Sequence, residues 1–107
     1  MYNSENLDIE NHIYKVCPAI KIEYFPDGAL VLRLEGRQML ELNVTARDVL
    51  IQTDGKRTTA EVTNVLMQNY HITSLDEALQ DVIELYDHFT VQGIVEVVKD
   101  NEIERRK

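Results

Sequence analysis

RQMLELNVTARDVLIQTDGKRTT, residues 37–59, reads as a strand, a capped short helix, an Asp-Gly turn and the cap of a second helix. Leu40 and Leu42 fall on one face of the strand and Met39 and Glu41 on the other, as a period of two requires. Asn43 and Thr45 then supply cap-type side chains, and Thr45 precedes Asp48 at a capping-box spacing. Asp54-Gly55 offers the positive-φ residue that stops the helix. Thr58 with Glu61 repeats the capping spacing for the next helix. A sheet edge and a helical layer are therefore joined with little slack, and any binding is expected at that junction.

Upstream, Ile20, Ile22 and Tyr24 alternate with Lys21, Glu23 and Phe25. Pro26-Asp27-Gly28 turns the chain, with the glycine expected in the left-handed region. A second strand places Leu30, Leu32 and Leu34 on one face and Val31, Arg33 and Glu35 on the other. Glu35-Gly36 then turns into the strand of residues 37–42. Three short strands with tight turns make an antiparallel meander with one buried face, too small to be stable without a helical layer.

Downstream the period becomes helical. Val62, Val65, Leu66 and Tyr70 share one face behind the Thr58 cap. Ser74 and Glu77 make another capping pair for a helix from about Leu75 to Gln92, which Gly93 ends. Its expected core face is Leu75, Leu79, Val82, Ile83 and Tyr86. Ala78, Leu85 and Phe89 form a second apolar line roughly a quarter turn away. Either the β-branched segment Ile94–Val98 covers that line, or it walls a groove for a partner. The fold class expected is α+β, winged-helix-like: a three-stranded antiparallel meander followed by three helices. Residues 1–17 read as a flexible polar lead-in, 18–98 as the domain and 99–107 as a charged tail.

The chain's 107 residues suffice for one core, and a net charge of −8 works against binding a polyanion. Between Thr58 and Gln92 there is no Lys or Arg, while Asp76, Glu77, Asp81, Glu84 and Asp87 crowd the long helix. A DNA-reading winged helix would need the opposite sign there. Residues 1–15 lack the apolar region of a signal peptide, no apolar run is long enough for a bilayer, and Cys17 is alone, so a reducing cytoplasm is expected. His12, His71 and His88 stand on different elements with no metal-ligand spacing. No phosphate loop or activated nucleophile is evident, so neither catalysis, a metal nor a cofactor is expected.

The order and spacing of a strand ending in Leu42-Asn43, then Thr45, Asp54-Gly55, Thr58, Glu61-Val62, Tyr70 and Gly93-Ile94-Val95 resembles the PqqD family. Pro18 and the Asp27-Gly28 turn also sit where that family places them, so the resemblance covers about residues 18–98. Its fold recurs as the recognition element of systems that modify ribosomally synthesised peptides. The resemblance implies a peptide chaperone rather than an enzyme. It would hold the leader segment of a precursor peptide and present it to a radical SAM protein, a cyclodehydratase or a leader peptidase. It further implies that the leader adds as a strand beside Arg37, Met39, Leu40, Glu41 and Leu42, against a helix wall of Ala78, Asp81, Leu85 and Phe89. The chain lacks Trp, where relatives often carry an aromatic in the first helix; Val49 and Leu50 stand there instead. Two alternatives compete: an assembly subunit whose strand edge pairs with an enzyme or a second copy, and a DNA-binding regulator, disfavoured by charge.

Overall fold

The computed structural model describes residues 11–35 and 38–98. In chain order the elements are β1 (Tyr14–Val16), β2 (Ile20–Phe25), β3 (Gly28–Arg33), β4 (Gln38–Leu42), α1 (Val44–Gln52), α2 (Thr59–Tyr70), α3 (Leu75–Val91) and β5 (Val95–Val97). The expected architecture is present: an antiparallel sheet in the order β2-β3-β4 with three helices packed on one face.

The caps explain where the helices begin. Asn43 Oδ1 accepts from the Ala46 amide at 2.9 Å, so Asn43 caps α1 and Thr45 lies inside its first turn. The Thr45–Asp48 spacing is thus not the cap, because the nearer Asn43 already satisfies the free amide. Thr58 and Glu61 form the complete capping box of α2, and the Ser74 hydroxyl accepts from the Glu77 amide at the start of α3. Gly55 and Gly93 take φ of 78° and 75°, as helix-stopping glycines do.

Gly28 differs from the expectation. Its φ is 158°, close to extended, and the turn proper consists of Pro26 and Asp27 between the paired residues Phe25 and Gly28. Glycine is demanded twice: that φ still lies in the range L side chains rarely adopt, and a Cβ there would lie 2.1 Å from the Leu42 carbonyl oxygen.

Cross-strand register sets the buried face. Ile22, Val31 and Leu40 lie side by side, flanked by Ile20–Arg33–Gln38 and Tyr24–Ala29–Leu42. Val31 and Ala29 are buried against the helices, whereas Leu30 and Leu32 are half-buried on the opposite face and Leu34 is exposed. The core beneath the sheet is filled by Val49 and Leu50 of α1, Val62 and Leu66 of α2, and Val82, Tyr86 and Phe89 of α3. Small residues on the central strand let α1 approach closely. Leu79 and Ile83 are buried as expected, but Leu75 at the start of α3 is exposed.

The boundary at residue 17 moves toward the N-terminus. Tyr14–Val16 is a strand paired antiparallel with β5, Tyr14 opposite Val97 and Val16 opposite Val95. Cys17 N donates to Ile94 O at 2.9 Å, and Val98 N donates to Ile13 O at 2.7 Å. Tyr14 is buried and stacks on Tyr86 with ring centroids 4.1 Å apart. Such a short strand carries too little period to announce itself; its partner strand and the Tyr86 ring hold it. The rest of the expected lead-in, residues 1–10, and the tail at 99–107 lie outside the described residues.

Candidate functional site: an unpaired strand edge beside a helix

β4 bonds to β3 on one side, and among the described residues no strand occupies its other edge. Which backbone groups point outward follows from the register. Leu34 N donates to Ala19 O at 3.0 Å, so the even-numbered residues of β3 face β2. The odd-numbered ones, Ala29, Val31 and Arg33, therefore bond to Leu42, Leu40 and Gln38. The N–H and C=O groups of Met39 and Glu41 are left facing the open edge. The side chains alternate in step: Met39 and Glu41 are exposed on the outer face, while Leu40 and Leu42 turn inward and are half-buried against the core.

Two cavities lie along α3, and one of them reaches this edge. One, of about 400 Å³, lies at the start of β4 and is lined by Gln38, Met39, Leu40, Arg33, Gln92 and Ile94, among others. A second, of about 310 Å³, lies where the chain has left β4 and is lined by Thr45, Leu66, Tyr70, Ile72, Ala78, Asp81, Val82 and Leu85. β4 therefore begins beside the Gln92 end of α3, and the chain leads on through Asn43 and Thr45 to the cavity at the Ala78 end. Ala78, Asp81, Leu85 and Gln92 follow one ridge of the helix at the offsets that keep side chains aligned. Glu41 and Leu42 line a third hollow with Phe25, Asp27 and Gly28 at the hairpin end of the sheet.

The expected site residues sort accordingly. Leu40 and Met39 border the first cavity; Ala78, Asp81 and Leu85 border the second. Phe89 does not line the groove: it is 0% exposed and belongs to the core. Its position is rotated toward Val82 rather than Asp81, so it supports the groove floor from behind. Arg37 lies outside the described residues. Ile94–Val98 does not seal the slot, since β5 pairs with β1, although Ile94 lines the first cavity.

Sequence reading missed Arg33, Gln92, Thr45, Tyr70 and Ile72 as groove residues. Tyr70, the last residue of α2, and Ile72, just past its end, were legible as bulky residues at a helix terminus, and both remain partly exposed. Tyr70 is held by a relay. Arg47 donates to Phe25 O at 2.6 Å and to Pro26 O at 2.8 Å, its Nη2 lies 2.9 Å from Asp48 Oδ1, and Asp48 Oδ2 accepts from the Tyr70 hydroxyl. The hydrogen bond to Asp48 keeps the Tyr70 phenol protonated beyond its ordinary range. The aromatic rim of the second cavity is therefore fixed to the β2–β3 turn.

Other side chains with chemical potential are engaged in structure. The Cys17 thiol is half-buried 3.6 Å from Glu96 Oε2, and burial together with that carboxylate raises its pKa, opposite to an activated thiol. Among the described residues no group of three or more His, Cys, Asp or Glu is placed to hold a metal, and no helix is long and apolar enough to cross a membrane.

The sequence model for coenzyme PQQ synthesis protein D (PqqD) matches residues 28–95. Two solved structures share the fold. One is TbiB1 in complex with the TbiA(beta) leader peptide, 13% identical, with a TM-score of 0.70 over 80% of this chain and 99% of that one. The other is lasso peptide synthetase B1 complexed with the leader peptide, 17% identical, with a TM-score of 0.67 over 78% and 96%. No curated protein matches the sequence.

Proposed function

This chain belongs to the PqqD family, and on that premise we propose that it binds the leader segment of a ribosomally synthesised precursor peptide by strand addition and presents it to a modifying enzyme. The observation that carries the reading is the outer edge of β4: the backbone groups of Met39 and Glu41 have no strand partner among the described residues, and Met39 and Leu40 line a cavity shared with Gln92 and Ile94 just past α3. Both structural relatives are complexes with leader peptides, which supports the class of ligand.

The energetics favour a ladder with anchors. Four outward backbone groups contribute roughly 0.5–1.5 kcal/mol each when paired. Ordering a flexible leader costs about 2–5 kcal/mol, while micromolar affinity needs about 8 kcal/mol. The ladder alone falls short. Each apolar side chain buried in a cavity adds about 1.5–3 kcal/mol, so the two cavities select the peptide. The cavity beside Tyr70 is the more apolar, lined by Leu66, Ile72, Ala78, Val82 and Leu85. Asp81 at its rim favours a leader with Lys or Arg near that anchor. The protein holds and presents; the chemistry is supplied by a partner such as a radical SAM protein, a cyclodehydratase or a leader peptidase.

Leu85→Asp places a charge in the groove wall. Because Leu85 also packs partly against the core, Ile72→Asp at the exposed rim serves as its partner variant. Both are expected to weaken binding of leader segments, taken from precursor peptides encoded beside this protein's gene, by about ten-fold or more in calorimetry. Unchanged affinity in folded forms of both variants would refute the groove.

A further inference from the structure

We propose that the groove is electrically directional, and that its occupant carries a basic side chain followed about four positions later by an acidic one. This rests on the strand-addition reading above. At the end of the groove where β4 begins, Arg33 reaches across the gap and donates to the Gln92 carbonyl, lying against Gly93, where a Cβ would stand 3.1 Å from its Nη1. No carboxylate among the described residues pairs with Arg33; the nearby Glu96 is bridged by Lys15 at 3.5 Å. At the other end Asp81 is exposed at the cavity rim, with no cation within salt-bridge distance among the described residues and Glu77 one turn before it. A cation without a carboxylate partner thus stands at one end and an acidic rim, Asp81 with Glu77, at the other, with Leu40, Leu85 and Ile94 among the lining between.

The spacing follows from two pitches. From Asp81 to Gln92 the helical ridge spans about 16 Å at 1.5 Å per residue. An extended strand advances about 3.3 Å per residue and returns its side chains to one face only at even offsets. A step of about four residues, helped by the length of the Arg33 side chain, matches that span. The order follows from the sheet. β2, β3 and β4 are all antiparallel, and an added strand continuing that pattern runs from the Leu42 end toward Gln38. Its earlier residues meet Asp81 and its later ones Arg33.

The probe is a synthetic array of labelled peptides of about nine residues. Lys and Glu are fixed about four positions apart in both orders, or replaced by Gln at both, and the remaining positions are randomised among Leu, Ile, Val, Phe, Tyr and Thr. In low salt the Lys-first pool is expected to bind about ten-fold tighter than the Glu-first pool, a gap that closes in molar salt. The double variant Asp81→Lys, Arg33→Glu should reverse the order of preference. Should loss of the Gln92 contact unfold it, Arg33→Gln keeps a donor for that carbonyl and should abolish only the preference for the acidic residue. Equal binding of both orders, or a Glu-first preference, overturns the charge assignment while the strand-addition reading stands. Binding by no pool, the Gln control included, removes both.

Discussion

Gly28 and the Leu42 carbonyl lie so close that the β2–β3 turn and the end of β4 leave no room for a side chain between them; an added Cβ would stand 2.1 Å from the oxygen. Gly28→Ala must push β4 away from β3 at its Leu42 end. We expect a loss of more than about 2 kcal/mol in denaturant unfolding, with weaker peptide binding because the edge itself moves. A variant as stable as the parent would show that the hairpin adjusts freely. Tyr86 makes a different case. Its hydroxyl is 2.7 Å from the Thr53 hydroxyl, which also donates to Val49 O at 2.7 Å, and burial pushes the phenol up to about 12 from 10.0. A raised phenol stabilises the fold fully below the unfolded pKa near 10 and loses that contribution as the pH climbs through about 12. The stability of the parent should therefore fall by on the order of 2–3 kcal/mol between about pH 9 and pH 12 from this group. Tyr86→Phe should fall less over the same window, because position 86 no longer carries a group that ionises, and Thr53 keeps its bond to Val49. Identical pH slopes in urea melts would contradict the assignment.

Among the elements, β1 shows how little of a strand's identity need reside in the strand. Tyr14 is buried on Tyr86, and β1 is tied to β5 and, through Ile13 and Thr58, to the start of α2. It lies outside residues 28–95, the part matched to the family. Tyr14→Ala should still cost about 3 kcal/mol, since it empties a stacked aromatic site. A cost below about 1 kcal/mol would make β1 an ornament of the fold. Such a strand was not legible in the sequence, because three residues show no period and the stabilising partner is far away along the chain. The helices were legible for the converse reason: Thr58–Glu61, Ser74, Gly55 and Gly93 act through bonds to near neighbours. The three meander strands were legible from alternation, yet alternation could not say which face of β3 was inside. Leucine at 30, 32 and 34 advertised one face, and the close approach of α1 selected the smaller Ala29 and Val31 on the other. The same limit applies to α3. Ala78, Leu85 and Phe89 share a stripe on the helical wheel, but Phe89 points into the core while Ala78 and Leu85 border the groove. Arg33 escaped notice because its role depends on reaching a carbonyl on a distant helix.

At the scale of the whole molecule, the three-helix layer closes the core on one side of the sheet, and the β1–β5 ribbon engages residues 95–97 in a separate two-stranded sheet. Among the described residues the outer edge of β4 is unpaired, and the strand that follows α3 pairs with β1. A net charge of −8 and the absence of Lys and Arg from Thr58 to Gln92 set the long-range field, which repels a polyanion and attracts a basic peptide segment. On the proposed reading a bound peptide backbone lies along the outer edge of β4. The most direct test is a titration of labelled backbone amides with a leader segment. We predict that the largest shifts fall on the outward-facing amides of Met39 and Glu41 and along α3 from Ala78 to Gln92, with β1 and β5 unmoved. Shifts centred on the β1–β5 ribbon, or on the outer face of the sheet with the Met39 and Glu41 amides unchanged, would contradict it.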